Sequence, residues 1–185
     1  MRIANKQIPI ASGHTLDSVV SNAIYLVAAL GLTAALTWPV LPVALPLAAL
    51  ATGSALFHAT EGDAIWAQQM DAILIQWTMA ALVALSVAAV TGWPVWAVSA
   101  PLPAVWALWW LYGHLVHRNP AVVLQGVLVL AALLYVASLW TAATAGVLIL
   151  AAVAVQEGSG THSVAHAVWH VLAAGAICVA TWGLV

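Results

Sequence analysis

Four tracts of this sequence, residues 18–60, 72–117, 119–156 and 158–185, contain no Asp, Glu, Lys or Arg. A chain with so few charges cannot cover a water-facing surface. Soluble domains carry roughly 25% charged residues; here 4% of 185 residues are charged and 65% are hydrophobic. With three Lys+Arg against five Asp+Glu, most of the folded surface must face lipid. The same scarcity excludes nucleic-acid binding, which needs clustered basic side chains. Cys178 is the only cysteine, so neither a disulfide nor a multi-thiolate metal site can form within one chain. The opening MRIANKQIPIASGHTLD lacks an apolar core followed by a small-residue cleavage site, and no signal peptide is expected there. The expected class is an all-α polytopic membrane protein.

Proline, glycine and charged residues divide the chain into apolar segments near 16–37, 40–60, 66–90, 94–117, 120–138, 141–157 and 161–184. Most are close to the roughly 20 residues that a spanning helix needs. The expectation is one seven-helix transmembrane bundle over 1–185, with a short polar segment at 1–15. The fifth and sixth segments are the shortest, parted only by SLWT, and Pro101 and Pro103 can kink or delay the fourth. Trp38, Trp66, Trp93, Trp96, Trp140 and Trp182 fall near predicted ends, where an interfacial aromatic belt accounts for them.

Assigning membrane faces by parity of the spans sorts the polar residues. His14, His58, His114, His117, His162, His166 and His170 all fall toward the N-terminal face, with Asp17, Glu61, Asp63, Asp71 and Glu157. The opposite half keeps only Tyr135, Cys178 and the C-terminal carboxylate. At 1.5 Å rise per residue, His58, Asp71, His166 and His170 reach a similar depth, about 5–12 Å inside that end. Ionisable groups at such depth are costly in hydrocarbon, so they should turn inward and find partners.

His166 and His170 are four residues apart, which stacks two imidazoles on one helix face where they can grip a metal ion. His58, from another helix at the same depth, is the natural third ligand. Three histidines leave an open position for water or a carbonyl, the pattern of catalytic zinc. Asp71 then stands as general base or as a partner orienting a ligand, and Ser54, one turn deeper than His58, as a donor to a developing oxyanion. His162 lies about 12 Å along the axis from His170, too far to share an ion with it; it is expected behind the ligands or simply wetted. Taken singly, each piece has a plainer explanation: serines in membrane helices usually bond back to a carbonyl, and intramembrane histidines also relay protons or bind haem.

GSALFHAT (Ser54 to His58), QQMD (Gln68 to Asp71) and HAVWH (His166 to His170), in that order, resemble the alkaline ceramidase family. That family belongs to a seven-span hydrolase superfamily that also includes the adiponectin-receptor-like proteins. VVSNAIY, with Ser21 and Asn22, is similar to the Ser-Asn pair of the ceramidases. The resemblance implies zinc held by His58, His166 and His170. It puts Asp71 and Ser54 at the water and the substrate carbonyl, with Asn22 and Gln68 nearby. The implied reaction cleaves ceramide to sphingoid base and fatty acid. Two departures matter: the His58–Asp71 gap is a little longer than in the family, and the acidic calcium-binding cluster of its animal members is reduced to Asp17, with Thr15 where a carboxylate would stand. Calcium is not expected.

Competing classes are a receptor-like or membrane-perturbing superfamily member with a mainly structural zinc site, and a haem protein or proton conductor. Arg2, Lys6 and Arg118 all fall on the site face, so the positive-inside rule puts the N-terminus and the zinc toward the cytoplasm. The loop-poor, Ala/Val/Leu/Trp-rich sequence suggests a bacterial inner membrane. The expected partner is a membrane lipid, ceramide or another N-acyl lipid.

Overall fold

The computed structural model of the chain describes residues 16–36, 40–59, 65–99, 119–158 and 163–185, and among these it is helical throughout apart from short turns, with no strand. The helices are α1 (Leu16–Ser21), α2 (Ala23–Leu36), α3 (Leu41–Ala59), α4 (Ile65–Thr91), α5 (Val95–Ser99), α6 (Asn119–Val136), α7 (Leu139–Gly158) and α8 (Ser163–Leu184). Four segments are long and apolar enough to cross a membrane: Val19–Leu36, Leu41–Ala59, Ile73–Thr91 and Val164–Leu184. Leu124–Val136 and Leu139–Val155 are shorter apolar helices. The protein is a membrane protein. Of the segment expected near 94–117, only α5 is described, and the rest lies outside the described residues.

Local chemistry explains the breaks. The segment expected as one helix over 16–37 is interrupted at Asn22, which is fully buried and separates α1 from α2; the Tyr25 amide bonds the Asn22 carbonyl at 3.1 Å, keeping the two nearly continuous. Gly92 ends α4 in the left-handed region at φ 72°, its amide bonding the Ala88 carbonyl at 2.8 Å, a conformation that costs glycine little. The fifth and sixth expected segments are separate helices. The Ala137 amide closes α6 on Leu133, and the Ser138 hydroxyl accepts the Thr141 amide to open α7.

The bundle is organised around α8 and α4. The first packs against α7, α2, α1, α6 and α4; the second also packs against α3, α5 and α6. Without a hydrophobic driving force between helices in lipid, close packing of small residues must supply much of the association. One core cluster joins Ala28, Ala29, Leu32, Ala44, Leu47, Ala51, Leu74 and Ala174; a second joins Val43, Ala81, Leu85, Leu133, Ala142, Ala145 and Ala180. Outward-facing Val27, Leu30, Leu45, Leu134 and Leu150 form an apolar exterior suited to acyl chains. Trp66, Trp93, Trp96, Trp140 and Trp182 are all exposed at or beside helix ends, as an interfacial belt requires.

Gly183 marks the tightest approach at the far end of α8. A Cβ there would lie 2.6 Å from Thr141 Cγ2 and 2.9 Å from Leu133 Cδ2, whereas Gly31 on α2 has open space. Gly183→Val is expected to destabilise the bundle by about 1–3 kcal/mol. Gly31→Ala should be neutral or stabilising by up to about 1 kcal/mol. Thermal unfolding of both variants in one detergent checks the contrast.

Candidate metal centre

Small residues set the stage for the polar cluster. Gly53 lets α4 come so close to α3 that a Cβ at this position would lie 2.5 Å from Leu74 Cδ1 and 3.4 Å from Met70 Cγ. That approach brings Ser54 and Asp71, the next positions along, across the same seam, and their side chains are hydrogen-bonded. Most other hydroxyls in the bundle behave differently. Thr33, Thr78, Ser86, Thr144 and Thr181 each donate to the carbonyl four residues earlier, at 2.7–2.8 Å. Ser54 and Ser21 instead reach between helices.

One turn from Ser54 toward the membrane surface, His58 meets α8. Its Nε2 is 2.9 Å from Nε2 of His166. At that separation two imidazoles share a proton, or their lone pairs share a cation. The third ring, His170, is fully buried and lies 4.5 Å from His166 and 5.7 Å from His58 between centroids. Interplanar angles of 75°, 71° and 58° turn the three rings edge to face around a common point. Centroids this close leave no slot for a porphyrin between any two of these three rings.

The donor set fits a metal ion. One nitrogen from each histidine lies within 4.8 Å of the others. A tetrahedral zinc with Zn–N near 2.0–2.1 Å separates its ligand nitrogens by ~3.3 Å, between the observed 2.9 Å and that 4.8 Å bound. Nε2 of His170 is buried with no hydrogen-bond partner, while its Nδ1 lies 2.9 Å from Ser21 Oγ. A buried lone pair aimed at two other imidazoles is costly unless a cation or proton meets it. Imidazole donors suit zinc and also copper, iron or nickel.

Asp71 borders this centre on two sides. It is bonded to Ser54, one turn from His58, and it lies within electrostatic reach of Tyr25, whose ring tilts against His170 at 5.4 Å. Asp71 Oδ1 is buried without a partner. One carboxylate oxygen is therefore held and the other is available. Trp169 closes another side, with centroid distances of 5.4 Å to His166 and 4.8 Å to His170.

Of the residues expected from sequence, His58, His166 and His170 come together, and Ser54 and Asp71 lie beside them. Asn22 is buried one residue from Ser21. Gln68 is on α4 one turn before Asp71, with its side chain outside the described set, and His162, His14, His114 and His117 also lie outside the described residues. Sequence reasoning gave no contact to Tyr25 or Trp169. The adjacency of Trp169 to a ligand and the four-residue step from Ser21 to Tyr25 were the available signals. No family model, curated protein or solved structure matches this chain.

Mass spectrometry of detergent-purified protein is expected to find about one transition-metal ion per chain. His58→Ala and His170→Ala should lose most of it, from different helices, while His162→Ala should keep it.

Proposed function

We propose that this protein is a zinc-dependent intramembrane amide hydrolase, acting on ceramide-like N-acyl lipids to give a fatty acid and an amine base. What carries the proposal is a pair of buried, partnerless polar atoms in one neighbourhood: Nε2 of His170 among three converging imidazoles, and Oδ1 of Asp71. Further support comes from the resemblance of GSALFHAT, QQMD and HAVWH to the alkaline ceramidases. The full arrangement would be seven spans in a bacterial inner membrane, with N-terminus and site toward the cytoplasm, consistent with the positions of Arg2, Lys6 and Arg118.

When bound, zinc supplies Lewis acidity, polarising a carbonyl and acidifying water. His58, His166 and His170 would hold it. Asp71, fixed through one oxygen by Ser54, accepts the proton of the attacking water on the other. As water oxygen bonds to the carbonyl carbon and the C–N bond breaks, the same carboxyl returns that proton to the departing nitrogen. The Ser54 hydroxyl turns from Asp71 toward the developing oxyanion. Tyr25, Trp169 and the apolar walls keep bulk water out, which strengthens each of these interactions. A lipid amide has its chains in the bilayer already, so it can enter sideways between helices.

Asp71→Asn keeps the shape and loses the base. It should retain zinc while hydrolysis of N-acyl sphingoid lipids falls about 10²–10⁴-fold; Ser54→Ala should lose about 10²–10³-fold. Release of fatty acid from labelled lipid amides in detergent micelles checks both. A wild-type protein that holds stoichiometric zinc but releases no acid from any N-acyl lipid would instead favour the receptor-like class, with a structural zinc.

A further inference from the structure

The interruption of the first span has a use that its sequence does not announce. Asn22 divides α1 from α2, and Ser21, the last residue of α1, meets His170 Nδ1 at 2.9 Å. The two residues are 149 apart in sequence. Buried serines that merely fill a membrane helix bond to their own backbone here, as Ser86 does to the Leu82 carbonyl at 2.8 Å. Four residues after Ser21, Tyr25 lays its ring against the same imidazole, and α1 and α2 both pack on α8. Nδ1 of His170 thus meets Ser21, while its buried Nε2 has no hydrogen-bond partner and belongs to a group of three histidines that could hold an ion.

An imidazole can present a lone pair at Nε2 only when its proton sits on Nδ1, and a neighbour at Nδ1 decides that. We infer that Ser21 is a positioning residue for the metal centre: its Oγ accepts the Nδ1–H of His170, fixing the tautomer and ring rotation that aim Nε2 at the ion. The inference rests on the metal-centre reading. It adds the first span to the site as a brace that supplies no ligand. A serine hydroxyl accepts and donates at once, so accepting from His170 is compatible with a further bond from the same Oγ–H. His166 is differently placed: it meets His58 through Nε2 and Trp169 through its ring face.

The experiment is a zinc titration of the full chain in detergent, in competition with a chelating dye, on wild type, Ser21→Ala and Ser21→Thr. Alanine removes the acceptor and threonine keeps it. Zinc affinity should fall about 10–100-fold in Ser21→Ala and stay within about threefold of wild type in Ser21→Thr. The melting midpoint of metal-free Ser21→Ala should match that of metal-free wild type, because the hydroxyl acts on zinc affinity rather than on packing. Wild-type affinity in Ser21→Ala would overturn the inference and leave the metal centre standing. A loss in Ser21→Ala with an equal loss in Ser21→Thr, or with a collapse of the metal-free midpoint, would also overturn it, by making Ser21 a packing residue. Wild-type protein that takes up no zinc would overturn the metal centre and this inference together.

Discussion

Burying two imidazoles, and half-burying a third, in a bundle of alanine and leucine is the cost around which this structure is organised. A polar group in such surroundings is unfavourable unless it is paired, and a charged one far more so. The solution is convergence. His58 on α3 meets His166 and His170 on α8, so each helix supplies the other's partner. Helices that must meet at one depth cannot slide or rotate freely, so the cluster fixes register as well as chemistry. The small residues follow from the same requirement: Gly53 allows α3 and α4 to close until Ser54 and Asp71 join the group.

The rest of the bundle is correspondingly plain. Away from the histidines, most hydroxyls are satisfied within their own helices, and the packing is alanine against leucine or valine. Such a region asks little of water, the exceptions being Gln76 Oε1 on α4 and Gln125 Oε1 on α6, both buried without a hydrogen-bond partner. It serves as a rigid, low-dielectric frame, and within it a hydrogen bond or a charge at the polar end acts more strongly than it would in solution. One end of the bundle carries the polar cluster, and the other holds the helices at a fixed spacing.

How far this could be read from the sequence follows from what helical periodicity encodes. The four-residue step from His166 to His170 fixes one shared face, and the one-turn step from Ser54 to His58 fixes another, so the members of the cluster were legible. Periodicity does not encode how neighbouring helices are rotated toward each other. It could not say that Ser54 would reach Asp71 rather than its own backbone. Nor could it show that His170 would meet Ser21 at Nδ1 and keep Nε2 buried without a hydrogen-bond partner. The Asn22 break was hidden for a related reason: VVSNAIYL is apolar enough to pass as continuous helix, and a single buried asparagine leaves no hydropathy signal. Tyr25 and Trp169 read as ordinary membrane aromatics, and only the third dimension puts their rings on the histidines.

Whether such a centre is built to hold structure or to do chemistry turns on how it is closed. Structural zinc sites take four protein ligands and leave nothing open. Among the described residues the metal-ligating group has three members, all histidine. Cys178 is no fourth: it lies two turns beyond His170, ~12 Å along α8. Asp71 has the right charge to close the site, yet one of its oxygens is tied to Ser54 and the other is held without a partner. A carboxylate buried beside a metal centre and kept from binding must be desolvated, and it offsets that cost either by orienting a ligand or by serving as a base. A hydrolytic centre requires that group: a base near the metal, oriented by a hydroxyl and shielded from bulk water. In the proposed hydrolysis, the buried Asp71 is the group that would serve as that base.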